Sequence, residues 1–214
     1  MAARRAGQHA RSTATRLAVR YLAYVAALLV AGAVALAAFG FGSLEFLLVE
    51  GVVIAALSLI DRVAVPRVER WSQGARGEED VGRALEALGD GWAVFHDIDT
   101  GRGNIDHVVI GPAGLFTVET KSRSGRIRVS DIDERMLRQA WAQKKWLEEA
   151  SGQGVEALLV FSAAYLDRPL SRQRGVLVMP GRLLARHLTG REQALAPAEV
   201  ASIQLRVERV TSGA

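Results

Sequence analysis

Apolar and polar positions change rhythm three times along the 214-residue chain. From Tyr21 to Phe41 the sequence is uncharged and mostly Ala, Val and Leu. About 20 such residues, rising about 1.5 Å each as a helix, cross a hydrocarbon core of roughly 30 Å, so this segment is expected to span a membrane. A cleaved signal peptide is the alternative, but its apolar stretch is usually only about 7–15 residues. A second apolar run, Leu44 to Ile60, contains Glu45 and Glu50, each costly at mid-bilayer by about 2.5–3.5 kcal/mol. The tight Gly40 to Ser43 connection suits a helical hairpin. One or two membrane helices are therefore expected in residues 21–60.

After Pro66 a polar stretch through Gln73-Gly74-Ala75-Arg76-Gly77 reads as linker, and residues 61–73 are expected to link the membrane segments to the following domain. The remainder alternates short strands with helices. A helix is expected from Glu78 to Leu88, with Val81, Ala84, Leu85 and Leu88 on one stripe. Strands are expected at Trp92 to His96, Ile105 to Ile110, Leu115 to Lys121, Ala157 to Phe161 and Gly175 to Met179. Ser130 is placed to cap a helix from Asp131 to Glu149. Helices near Arg182 to Leu188 and Ala198 to Val210 complete a domain of residues 74–190, with a C-terminal helix and tail at 191–214.

Charge settles the expected topology. Residues 1–20 carry five arginines and no acid, and Arg62, Arg67 and Arg70 follow the second apolar run. Basic flanks on both outer ends put both termini in the cytoplasm, making a multi-pass protein of the inner membrane. The chain's net charge is +4, and removing the +5 of residues 1–20 and the −2 of Glu45 and Glu50 leaves about +1 for residues 61–214. With no cysteine, disulfides, thiolate zinc sites and a cysteine nucleophile are excluded.

Residues two apart in a strand share a face, so Glu119 and Lys121 stand side by side while Phe116 and Val118 face the other way. A strand with apolar residues on both faces is buried, and charge emerging at its end suggests a site as well as an ordinary ion pair. Asp106 opens the preceding apolar strand. The short turn from Gly111 to Gly114 makes the two strands antiparallel and brings Asp106 opposite Glu119 and Lys121. Two carboxylates there suit a hard cation such as Mg²⁺, and a nearby lysine suits charge on a phosphate. Helix geometry turns Glu78 toward the core with Val81 and Leu85, where the backbone amides of a first helical turn are an alternative partner. His107 falls on the face opposite Asp106 and reads as a core histidine. Asp97 and Asp99 precede a glycine turn and read as turn caps, or as ligands should Asp106 not serve.

These residues resemble a known pattern. Asp106 followed by Glu119-Thr120-Lys121 is similar to the PD-(D/E)XK nuclease superfamily, and the surroundings resemble its nuclease-related domain, the NERD family. The likeness runs from Gly74 to Trp146: Gly74-Ala75-Arg76-Gly77-Glu78, then Gly103 to Val109, then Val118 to Lys121 with Ser124 to Ile127, then Gln139-Ala140. Ser122-Arg123 departs from the aromatic or Asn often found after the lysine. The resemblance implies an α/β, restriction-endonuclease-like fold, a mixed central sheet flanked by helices. It also implies that Glu78, Asp106 and Glu119 bind Mg²⁺ or Mn²⁺, that Lys121 is catalytic and that Gln139 supports the site. The expected activity is phosphodiester hydrolysis; the alternative is a membrane-anchored nucleic-acid-binding or scaffold module without turnover.

Residues 121–145 hold eight basic residues against three acids. Arg123, Arg126, Arg128 and Arg138 are accordingly expected to contact nucleic acid, DNA ahead of RNA, with salt-sensitive affinity. Trp141 and Trp146 suit base stacking or core packing. A homodimer remains open.

Overall fold

In this computed structural model the described residues are 5–101 and 103–212; the start of the basic segment, residue 102 and the last two positions lie outside them. The chain forms two compact units: His9–Gln73, and residues 74–212 joined by the short segment before His9.

The first unit is a helical hairpin. Helix α1 (Gln8–Phe39) turns through Gly40 and Gly42, both at positive φ, into α2 (Leu44–Glu86). Ser43 Oγ accepts the Phe46 N–H at 3.2 Å and closes the first turn of α2. Side chains such as Leu22, Val30, Leu48 and Ile54 are more than half exposed, so the apolar surface points outward. Glu50 lies against Gly32 of α1, where a Cβ would come within 2.6 Å of its Oε1. A glycine on one helix thus makes room for the acid of the other. Among the described residues one helix, α1, is long and apolar enough to cross a membrane, by length and composition alone.

The expected linker at 61–73 is instead helical: α2 runs unbroken through Pro66 and the polar stretch to Glu86. Proline removes one ladder hydrogen bond but does not end this helix, whose later turns are anchored by burial of Ala75, Val81 and Leu85.

The second unit is built on a mixed six-stranded sheet. Its strands are β1 (Ala93–Asp99), β2 (Asn104–Gly111), β3 (Gly114–Ile127), β4 (Val155–Leu166), β5 (Ser171–Gln173) and β6 (Val176–Pro180), in the order β1-β2-β3-β4-β6-β5. Strands β1 to β3 form an antiparallel meander, β3, β4 and β6 run parallel, and β5 pairs antiparallel with β6. The parallel strands read as apolar runs because both faces are covered. One face packs Val81 and Leu85 of α2 and Leu184 and Leu188 of α4 (Leu184–Thr189) against Val118, Val160 and Met179. Opposite, Leu137 and Ala140 of α3 (Glu134–Ser151) cover Leu159, Phe161 and Val178. Helix α5 (Pro197–Ser212) seats Val200, Ile203 and Val207 on Ile105, Val108 and Leu147, so the C-terminal helix is part of the core. Each such fully buried aliphatic side chain contributes roughly 1.5–3 kcal/mol.

Helix α3 starts later than expected. A short 3-10 turn, Val129–Asp131, buries Val129, and Ile132 follows it into the core; Asp133, not Ser130, then caps α3 by accepting the Arg135 N–H at 2.8 Å.

Candidate active site

The antiparallel register pairs His107 with Val118, which carries Asp106 to the level of Glu119 on the neighbouring strand. Asp106 Oδ2 accepts the backbone N–H of Thr120 at 2.7 Å, fixing that carboxylate to β3. Glu119 is only 2 % exposed because β3 lies between β2 and β4 with α3 above it. Both of its oxygens are engaged: Lys121 Nζ donates to Oε1 at 2.5 Å and Gln143 Nε2 to Oε2 at 2.5 Å. Gln143 also donates to the Asn104 carbonyl at 3.0 Å, tying α3 to β2. One helical turn earlier, exposed Gln139 accepts from Lys121 Nζ at 3.5 Å.

Glu78 comes from α2 and is partly buried. Gly77 permits this approach, since a Cβ there would lie 2.7 Å from both Ser122 Cβ and Ser162 Oγ. Glu78 stands deep inside a long helix, not in a first turn, so no free helix-terminal amides await it. Its carboxyl is pushed up to about 7, first by burial, then by the charges of Asp97 and Glu119, with Lys121 opposing. Asp106 is likewise held well above the ordinary carboxylate range by burial and by Glu119 and Glu78, against the Thr120 amide.

Asp97 and Asp99 divide the roles expected of them. Asp99 caps the turn by accepting the Gly101 N–H at 2.8 Å. Asp97 is buried, at φ 53, and its Oδ1 accepts from Asn104 Nδ2 at 2.6 Å. A non-glycine residue in that region is strained. Asp97 therefore belongs to the polar cluster, as do Asn104 and Gln143, to which sequence reasoning gave no role. A glutamine inside the otherwise apolar stripe of Ile132, Met136 and Trp146 was the available signal.

Four carboxylates and one lysine leave surplus negative charge, and their mutual repulsion is what raises Glu78 and Asp106 beyond the effect of burial. Oxygen donors in negative surplus fit a hard divalent cation. As the side chains stand, no three His, Cys, Asp or Glu among the described residues could hold a metal ion together. Lys121 and Gln143 hold both Glu119 oxygens, so a cation competes with the ammonium for Oε1.

Arg123, Arg126, Arg128 and Arg138 are all exposed, and Arg138 is 3.7 Å from Glu134. Trp146 packs into the core, whereas Trp141 is 46 % exposed beneath Lys145.

Residues 73–166 match the family described as the nuclease-related domain, NERD. An uncharacterized protein of Bacillus anthracis is 34 % identical over 116 residues, which cover 51 % of this chain and 52 % of that protein. The chain thus spans about half the length of that curated relative. The crystal structure of a repair endonuclease from Pyrococcus abyssi is a partial likeness at 19 % identity, covering 54 % of this chain and 42 % of that one, with a TM-score of 0.27.

Proposed function

We propose that this chain, which carries a nuclease-related domain over residues 73–166, is a membrane-anchored, divalent-metal-dependent nuclease that hydrolyses phosphodiester bonds of nucleic acid. The observation that carries the reading is the Glu119 hub: a buried carboxylate shared by Lys121 and Gln143, with Asp106 and Glu78 crowding their charge beside it. Glu78, Asp106 and Glu119 would hold Mg²⁺ or Mn²⁺. Such a cation, when bound, supplies Lewis-acid polarisation of the phosphate and lowers the pKa of water.

The chain's own groups do the rest. Lys121 leaves Glu119 for the scissile phosphate and stabilises charge on its oxygens. Gln139 steadies Lys121 from the solvent side. Gln143 fixes the Glu119 rotamer, and the Thr120 amide fixes Asp106. The exposed arginines draw the backbone in, with DNA ahead of RNA. In this reading helix α1 is the anchor and the first part of α2 a second span, and the support for a cytoplasmic domain is the set of arginines flanking the two apolar runs.

A non-catalytic nucleic-acid-binding module is the rival, favoured by the occupation of both Glu119 oxygens by protein donors. The test is cleavage of labelled single- and double-stranded DNA and RNA by the full chain in detergent micelles, with Mg²⁺, Mn²⁺ or EDTA. Metal-dependent cutting that Lys121→Ala abolishes supports the nuclease. Salt-sensitive binding without cutting of any substrate supports the rival.

A further inference from the structure

Beyond Lys121, β3 continues to Ile127 beside β4, with Ser124 opposite Ala163, Gly125 opposite Ala164 and Arg126 opposite Tyr165. These strand ends and the turn at Pro180 and Gly181 enclose an open cleft of about 540 Å³. Pockets that bind small organic groups run from about 300 to 1,000 Å³. Two arginines, Arg126 and Arg182, line it, and among the described residues no acid does. Tyr165 is 62 % exposed, and the Arg182 guanidinium sits 4.5 Å from its ring centroid.

The cleft shares a wall with the active site. Ser162 lines it and packs with Ser122 against Gly77. Gly77 precedes Glu78 and Ser122 follows Lys121, so that wall of the cleft adjoins the reacting groups, while Tyr165 and Arg126 lie four and five residues further along the strands than Phe161 and Lys121. A solvent-facing ring steadied on one side by a guanidinium, beside a second arginine and no carboxylate, suits a planar base with an attached phosphate.

We propose that this cleft is a nucleotide subsite: a base one or two nucleotides from the scissile phosphate stacks on the open face of Tyr165 while Arg126 pairs with a phosphate. The subsite rests on the nuclease reading and adds a preference to it. A base that stacks on protein must leave its own stack, so single-stranded or locally unpaired nucleic acid is preferred over continuous duplex.

The experiment is fluorescence anisotropy of a labelled single-stranded oligothymidylate, and of a matched duplex, with the full chain in detergent micelles and EDTA, where a metal-dependent enzyme does not cut. Tyr165→Ala is expected to weaken single-strand binding roughly 5- to 100-fold, the range for one stacked base. Tyr165→Phe, which keeps the ring and guards against misfolding, is expected to bind as wild type. Arg126→Gln is expected to weaken binding and to flatten its salt dependence by about one counterion. The subsite is overturned if Tyr165→Ala binds like wild type, if Tyr165→Phe is as weak as Tyr165→Ala, if duplex is preferred, or if wild type binds no oligonucleotide. Metal-dependent cutting with a silent Tyr165 leaves the nuclease and removes the subsite. Binding governed by Tyr165 without cutting does the reverse.

Discussion

Asp106 and His107 are neighbours on β2, yet they enter two buried polar clusters of opposite character. On one side Asp106 joins Glu78, Asp97, Glu119 and Lys121, where carboxyls are crowded and Glu78 and Asp106 are pushed toward holding their protons. On the other, His107 is fully buried with its Nδ1 2.8 Å from His96 Nδ1, and His96 Nε2 lies 3.1 Å from Glu86 Oε1. Burial pushes His107 down to about 3, with His96 adding to it, and burial also lowers His96. If His96 donates to Glu86, His107 donates to His96, and His107 Nε2 is left a buried acceptor without a hydrogen-bond partner. The histidine cluster meets burial by staying neutral. In the carboxyl cluster the acids also repel one another while Glu119 keeps an ion pair with Lys121, a crowding of titratable groups that a reactive site uses and a merely packed one avoids.

The contrast is broken first at Lys121. Lys121→Ala should lower turnover about 10²- to 10³-fold in a single-turnover cleavage assay. His107→Leu should leave turnover unchanged while costing about 1–3 kcal/mol in denaturant unfolding, since His96 loses its buried partner. Equal losses in the two variants would erase the distinction.

Gln143 comes next. Gln143→Leu should weaken Mn²⁺ affinity or cleavage at limiting metal by about 10- to 100-fold, because Glu119 loses the donor that orients it. Gln139→Ala, removing an exposed partner at 3.5 Å, should have a smaller effect in the same titration.

Smaller, and opposite in sign, are the pH limbs of stability. The Glu78 carboxyl rises on folding from the ordinary 4.5 to about 7, so the folded protein holds the extra proton in that window. Metal-free stability should fall as pH rises through it, and Glu78→Gln should flatten that limb. His107 moves from 6.5 to about 3, so here the unfolded chain holds the extra proton. Stability should fall as pH drops below 6.5, and His107→Leu should flatten that limb only. The two limbs oppose each other where their windows overlap, so thermal melts in EDTA of wild type beside Glu78→Gln and His107→Leu separate them.

The carboxylate cluster is largely readable from the chain because it sits where patterns are strict. Period-two alternation and a short glycine turn are enough to bring Asp106, Glu119 and Lys121 together. The histidine's direction follows from the same alternation. What escapes lies where tertiary packing overrides local signals. Pro66, Gly74 and Gly77 read as chain breaks, yet α2 passes through all three because its buried residues hold it. The expected strand stops at Lys121, yet β3 continues beside β4 to Ile127 after a register shift. Gln143 is hidden in an apolar stripe, and its role depends on a carboxylate 24 residues away in sequence.

The most direct test of the charged cluster as a cation site is a Mn²⁺ titration of the full chain in detergent micelles, without nucleic acid, followed by electron paramagnetic resonance near neutral pH. Saturable binding that is lost in Glu119→Gln and in Asp106→Asn is the predicted result. Binding that survives both substitutions, or no saturable binding by folded wild-type protein, would contradict it.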